Sequence, residues 1–96
     1  MIVHIVMFKF NDENKGANIK ETKKRLDSLV DLVPALKSME VGVNFTVADR
    51  AFDLSLYSTF DTKEDLDAYA IHHEHLKVVE FIKSVTAESK VVDYIL

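Results

Sequence analysis

The sequence predicts an α+β domain in the order strand, helix, strand, strand, helix, strand, built on one antiparallel sheet. Three observations predict it. A run rich in valine, isoleucine and phenylalanine occupies the start. Apolar and polar residues alternate across 39–60. Two stretches with helical spacing follow, one after the first strand and one after the alternating pair.

Residues Ile2 to Phe10 read as the first strand, and the polar Asn11–Gly16 stretch as a loop. Asn18, with Glu21 three residues on, forms a capping-box pattern for a helix running to about Val33. Ile19, Leu26, Leu29, Val30 and Val33 supply its apolar stripe, and Pro34 ends it by disfavouring helical backbone at the residue before it. From Met39 to Val47, Met39, Val41, Val43, Phe45 and Val47 alternate with polar residues and glycine, the spacing of a half-buried strand. Ala48–Arg50 is the turn into a third strand, Phe52 to Phe60. Asp61, with Glu64 after it, is the expected cap of a second helix, with Leu66, Tyr69 and Ala70 inward. Helical spacing persists or restarts through His72, His75, Leu76, Val79 and Ile82, and Lys90 to Leu96 closes the sheet as a last strand.

That order is the ferredoxin-like βαββαβ arrangement, with both helices on one face of an antiparallel sheet, in a single domain spanning 1–96. The other sheet face needs a cover. The first strand is apolar on both sides, with Ile2, Val6, Phe8 and Phe10 opposed by Val3, Ile5 and Met7. The last sets Val91 and Ile95 against Val92, Tyr94 and Leu96. A half-solvated strand alternates cleanly, and these do not. The expected partner is a second copy packed sheet to sheet, with Tyr57 and Tyr94 at the contact.

Composition narrows the function classes. The net charge is −4 and the lysines are interspersed with acids, so no basic stripe for nucleic acid is present. No apolar stretch approaches the ~18–20 residues of a membrane span, and the start resembles a strand rather than a signal peptide. There are no cysteines, hence no disulfide or thiolate site. A cytoplasmic protein is expected. Only Gly16 and Gly42 are glycines, so no phosphate-cradling loop exists, and Gly-x-Ser-x-Gly is absent. The Lys20, Lys23, Lys24, Arg25 cluster reads as a solvated helix face.

The four histidines are concentrated in two places: His4 within the first strand, and His72, His73 and His75 close behind Tyr69. Histidine changes charge nearest neutral pH, so this grouping suggests a small polar site in an apolar pocket. On a continuous helix Tyr69, His72 and His75 share a face, while His73 is rotated by about 100° toward solvent. His72 and His75 alone are too few ligands for a stable metal site, and neither a metal nor another cofactor is expected.

The opening Ile-Val-His-Ile-Val-Met-Phe-Lys-Phe, the helix end Leu-Val-Pro-Ala-Leu and the segment Tyr-Ala-Ile-His-His-Glu-His-Leu resemble the stress-responsive dimeric α/β-barrel (Dabb) family over essentially the whole chain. The resemblance implies ferredoxin-like protomers paired into a dimeric α/β barrel. It also implies kinship with plant polyketide cyclases, whose catalytic tyrosine and histidine match Tyr69 and His75, with His4 and His72 as pocket histidines. The chain departs from those cyclases at Leu54, where they carry a further histidine, and at His73, where they carry proline. In that reading neutral His75 removes a proton beside a carbonyl, the Tyr69 hydroxyl donates to the oxygen that becomes enolate-like, and His4, Val6, Phe8, Leu56 and His72 contact the ligand. Three functions remain open: a stress-related protein binding a small hydrophobic or aromatic ligand, a cofactor-independent cyclase, isomerase or monooxygenase-like enzyme, and a purely structural dimer in which these polar side chains satisfy one another.

Overall fold

A computed structural model describes residues 1–96. The elements are β1 (Ile2–Phe10), α1 (Lys15–Leu32), β2 (Ser38–Val43), β3 (Leu54–Phe60), α2 (Lys63–Ile71), α3 (His73–Val85) and β4 (Thr86–Ile95). The four strands form one sheet in the order β2-β3-β1-β4, every neighbouring pair antiparallel. This is the ferredoxin-like α+β fold, with the second helical stretch split in two.

Register decides which side chains meet. Val41, Leu56, Val6 and Val91 lie across the sheet in one row, and Met39, Ser58, His4 and Asp93 in the next but one. Alternate rows project to opposite faces. The row of Val6 and the row of His4 are two residues apart along β1, so both look toward the helices. There Ile2, Phe8, Phe10, Leu54, Leu56 and Phe60 pack with Leu26, Leu29 and Val33 of the α1 stretch and Val78 and Ile82 of α3. The intervening rows carry Ile5, Met7, Tyr57, Val92 and Tyr94 onto the face without helices. Val92 is 53% exposed there, and Met7 and Tyr94 are exposed too.

Several boundaries differ from those expected. Helix α1 starts three residues before its predicted cap, Asn18. Asn14 precedes it in the left-handed region, φ 53°, a conformation asparagine tolerates better than most residues. Asn18 is already inside the helix, its N–H bonded to the Asn14 carbonyl at 2.9 Å, so no capping box forms. For α2 the cap is Thr62 rather than Asp61. The Asp65 N–H donates to Thr62 Oγ1 at 3.1 Å. Ala70 is exposed rather than inward.

The alternating pattern of the hairpin outruns the pairing. Strand β2 stops at Val43 and β3 begins at Leu54, leaving Phe45 and Val47 almost fully exposed. The connection instead turns at Asn44, whose Oδ1 accepts the Thr46 N–H at 3.1 Å, and its far end is tied to β1 by the Asp53 N–H, which donates to the Phe8 carbonyl at 2.9 Å. Strand β4 starts at Thr86, earlier than the return of β-branched residues suggested, because it pairs with β1 down to Phe10 past an irregularity between Lys9 and Phe10. No helix is long and apolar enough to cross a membrane.

Candidate functional site

Between the sheet and the helices lies a partly enclosed cavity of about 190 Å³. Its floor is His4, Val6 and Phe8 of β1 with Leu56 of β3. Leu26 of α1 and Tyr69 of α2 contribute to its walls, and α3 supplies His75, Val78, Val79, Ile82 and Lys83. Thr86 and Ser89 of β4 complete it. The stripe on α3 is a helical face read at steps of three and four. A cavity of this size holds a single ring or a short chain, since an engineered apolar cavity of about 150 Å³ admits benzene.

The polar end is built in layers. Phe60 is completely buried, with its ring 5.1 Å from that of Tyr69 and 6.5 Å from that of His4. The Tyr69 ring, 1% exposed, in turn lies 4.1 Å from the His75 ring at 38°. Such tilted, offset contacts suit the charge distribution of aromatic faces and edges. Phe60 thus positions both the tyrosine and the strand histidine from beneath.

Hydrogen bonds then fix which nitrogen faces the cavity. His75 Nδ1 donates to the Ala70 carbonyl at 3.1 Å, which leaves Nε2 with its lone pair. Burial lowers the pKa of His75 below its ordinary 6.5. The Ala70 bond works in the opposite sense, and nearby His4 and His72 reinforce the lowering. The ring is therefore a neutral base at physiological pH. Burial raises the Tyr69 hydroxyl above its usual 10.0, so it stays protonated and able to donate. His4 is held from the other side: its Nδ1 donates to Asp93 Oδ1, across the β1–β4 pairing.

His72 does a different job. The chain breaks helix at this residue, with φ −65° and ψ 134°, and α3 starts afresh at His73. The His72 ring caps the new helix, accepting the Glu74 N–H at Nδ1 over 3.1 Å, and stacks on His73 with centroids 4.8 Å apart. It does not line the cavity. Spacing counted through a continuous helix put Tyr69, His72 and His75 on one face. The break resets the rotation, so His75 turns inward with Val78 and Ile82, and Leu76 turns out, half exposed. Replacing His72 with alanine should cost about 1 kcal/mol of stability, the usual loss with an N-cap acceptor, and His72→Asn should restore most of it. Urea denaturation of the two variants measures the difference, and a cavity ligand should bind both as well as the parent.

Of the residues expected from the sequence, His4, Val6, Phe8, Leu56, Tyr69 and His75 share the cavity. The sequence places Leu26, Val79 and Ile82 on helical stripes but does not mark them, or Val78 and Lys83, as cavity residues. Asp93 was missed because only strand register brings it to His4. A larger hollow of about 470 Å³ opens on the other face, beside the connection from β2 to β3. It is lined by Met7, Val43, Arg50 and Phe52 among others and contains no histidine or tyrosine, so it offers no acid–base pair. No group of three or more histidine, aspartate and glutamate side chains is gathered closely enough to hold a metal ion.

Comparison with known proteins places this geometry among relatives. The family model described as Stress responsive A/B Barrel Domain matches residues 2–96. A stress-response A/B barrel domain-containing protein of Arabidopsis thaliana, DABB1, is 32% identical over 99% of this chain, which spans only 47% of that protein's length. Olivetolic acid cyclase of Cannabis sativa is 26% identical, with 97% of this chain and 94% of the cyclase aligned. Among solved structures, a dimeric protein of unknown function and ferredoxin-like fold from Bacteroides fragilis superposes with a TM-score of 0.87 at 29% identity, covering 97% of this chain and 93% of that one. With the family model matching almost end to end, the chain belongs to the stress responsive A/B barrel (Dabb) family.

Proposed function

We propose that this chain is a homodimeric small-molecule protein whose cavity performs cofactor-independent acid–base chemistry, with His75 as the base and Tyr69 as the hydrogen-bond donor. One observation carries the reading. The Ala70 carbonyl holds His75 in the tautomer that leaves Nε2 unprotonated, at the end of an apolar cavity it shares with a buried, protonated tyrosine. A carbonyl compound entering with its oxygen toward Tyr69 presents its α-proton to His75. The proton passes to Nε2, the C–H electron pair moves into the enolate, and the Tyr69 hydroxyl stabilises the charge that forms on oxygen. His4, braced by Asp93, lines the same end of the cavity, while Val6, Phe8 and Leu56 pack against the ligand body. The reaction class is that of cyclases and isomerases acting next to a carbonyl, and the similarity to olivetolic acid cyclase supports it. A cytoplasmic setting fits a chain without cysteine.

Proton removal is tested without knowing the substrate. In D₂O, short methyl ketones and monocyclic 1,3-diketones should take up deuterium beside the carbonyl faster with the protein than with an equal concentration of free imidazole, followed by proton NMR. No excess exchange across such a panel removes the enzymatic reading, and binding without exchange leaves a ligand-binding protein.

The dimer rests on the bare sheet face, where Ile5, Met7, Tyr57, Val92 and Tyr94 present apolar surface to solvent in a single protomer. The similarity to a protein described as dimeric supports it. Sedimentation should give about twice the 10.9 kDa chain mass. The Met7→Asp, Val92→Asp double substitution should halve it, because a charge buried without a partner at an interface is strongly unfavourable. A parent chain sedimenting at its own mass would end the proposal.

A further inference from the structure

The cavity has two polar ends, and only one contains the acid–base pair. Along α3, His75 and Lys83 both line it, eight residues apart, or about 12 Å along the helix axis at the usual rise. The floor runs the same way. His4 and Phe8 lie about 13 Å apart along β1, and register pairs Phe8 with Ser89 and Phe10 with Thr86. So His4, Tyr69 and His75 gather at one end, and Lys83, Thr86 and Ser89 at the other. Between them the walls are Val6, Leu56, Val78, Val79 and Ile82. A volume of about 190 Å³ spread over that length makes a narrow slot, the width of one extended chain or one ring.

Lys83 is the one lining side chain, histidines aside, that carries a formal charge, and it takes part in none of the chain's eight ion pairs. The neighbouring Thr86 hydroxyl is committed to the Ile82 carbonyl at 2.8 Å. The Ser89 hydroxyl has no such commitment. An ammonium and a free hydroxyl at the mouth of an apolar slot recognise an anion.

We propose that the slot selects a slender ligand with a carboxylate at one end, held by Lys83 and Ser89, and a carbonyl at the other, laid against Tyr69 and His75. The reading rests on the acid–base pocket proposed above and adds the ligand class to it: an oxo acid whose two functional groups are separated by a short apolar segment. Lys83 is a specificity residue in this scheme and takes no part in proton transfer. Its position in the last turn of α3 also sets it beside the partial negative charge of the helix end. That role changes stability, whereas ligand recognition changes the choice between charged and neutral ligands.

Calorimetric binding of 7-oxooctanoate, its methyl ester and 2-octanone to the full chain separates these roles. The parent protein should prefer the acid over the ester by about fivefold, the range of an ion pair near the surface, and added salt should shrink the preference. Lys83→Gln should bring the ratio close to one without weakening 2-octanone, and Lys83→Arg should keep it. Equal affinity for acid and ester in the parent, or a preference that survives Lys83→Gln, overturns the assignment. If 2-octanone binds while acid and ester are equal, the pocket reading stands and the ligand class fails. If none of the three binds to folded protein, both fail together.

Discussion

His75→Ala should reduce deuterium exchange into a bound ketone by about 10²–10⁴-fold, the usual worth of a positioned general base. The same variant should leave the far-ultraviolet circular dichroism unchanged, because the lost ring bonds only to the Ala70 carbonyl and contributes no core aliphatic surface. Tyr69→Phe should lower the rate by about 10²-fold, the effect of removing one donor to a developing oxyanion, while leaving ketone affinity largely intact. The pH profile has a definite sign. Burial depresses the pKa of His75, so the base is already neutral below the pH at which free histidine would be. The rate should climb with pH and level off at a lower pH than free imidazole catalysis does. The buried, raised Tyr69 keeps the plateau flat into the alkaline range. Linkage gives the matching stability change. The unfolded chain takes up a proton on His75 near pH 6.5, before the folded chain does, so stability at this site is complete above that pH and is lost as pH falls through it toward the depressed folded value. A His75→Ala protein exchanging protons at the parental rate would remove His75 from the mechanism.

Phe60→Ala should be the most damaging single truncation in the molecule, at about 3–5 kcal/mol. The ring is fully buried, and it supports Tyr69 at 5.1 Å and His4 at 6.5 Å. Small domains have only about 5–15 kcal/mol in total. For a chain of this size the loss lowers the melting temperature by on the order of 20 °C. Phe60→Leu should recover much of the stability but little of the exchange rate, because a branched aliphatic side chain fills the volume without supplying a ring face for Tyr69. Thermal melts and exchange rates on the two variants separate the packing role from the positioning role. Equal exchange in Phe60→Leu and parent would show that the tyrosine holds its place without the ring below it.

The element order was legible because each element carries its own period. The alternation of residues 39–43 and 54–60 and the helical spacing of Leu26, Leu29 and Val33 are local signals, and each landed in the structure. Boundaries were read less well where a local pattern continues past the point at which a partner is available. Phe45 and Val47 alternate as strand residues do, yet β3 has no residues left opposite them. Asn18 and Asp61 have the right chemistry for caps, but Asn14 and Thr62 lie where the chain actually enters the helices.

The gathering of Tyr69, His75 and His4 was foreseeable in part, through their proximity to apolar strand and helix patterns and through the family resemblance. The arrangement of the rest depended on distances no local pattern contains. Whether helix continues through His72 is one such case. The ring accepts the Glu74 N–H in the first turn of α3 only because the backbone at His72 is extended, and that turn is what aims His75 inward and keeps His72 out. The His4–Asp93 bond is another, since residues 89 positions apart meet only through strand register.

Residue spacing alone sets the order of strands and helices, the two-sided apolar character of β1 and β4, and the closeness of Tyr69 and His75 along one segment. Each follows from spacing within a short window of chain. What awaited the folded structure is that a slot runs between sheet and α3, that His72 caps while His75 faces inward, that Asp93 meets His4, and that Lys83 lies at the opposite end of the slot. Those outcomes depend on strand register and on how one helix is rotated after a break, and both are set by the packing of the whole core.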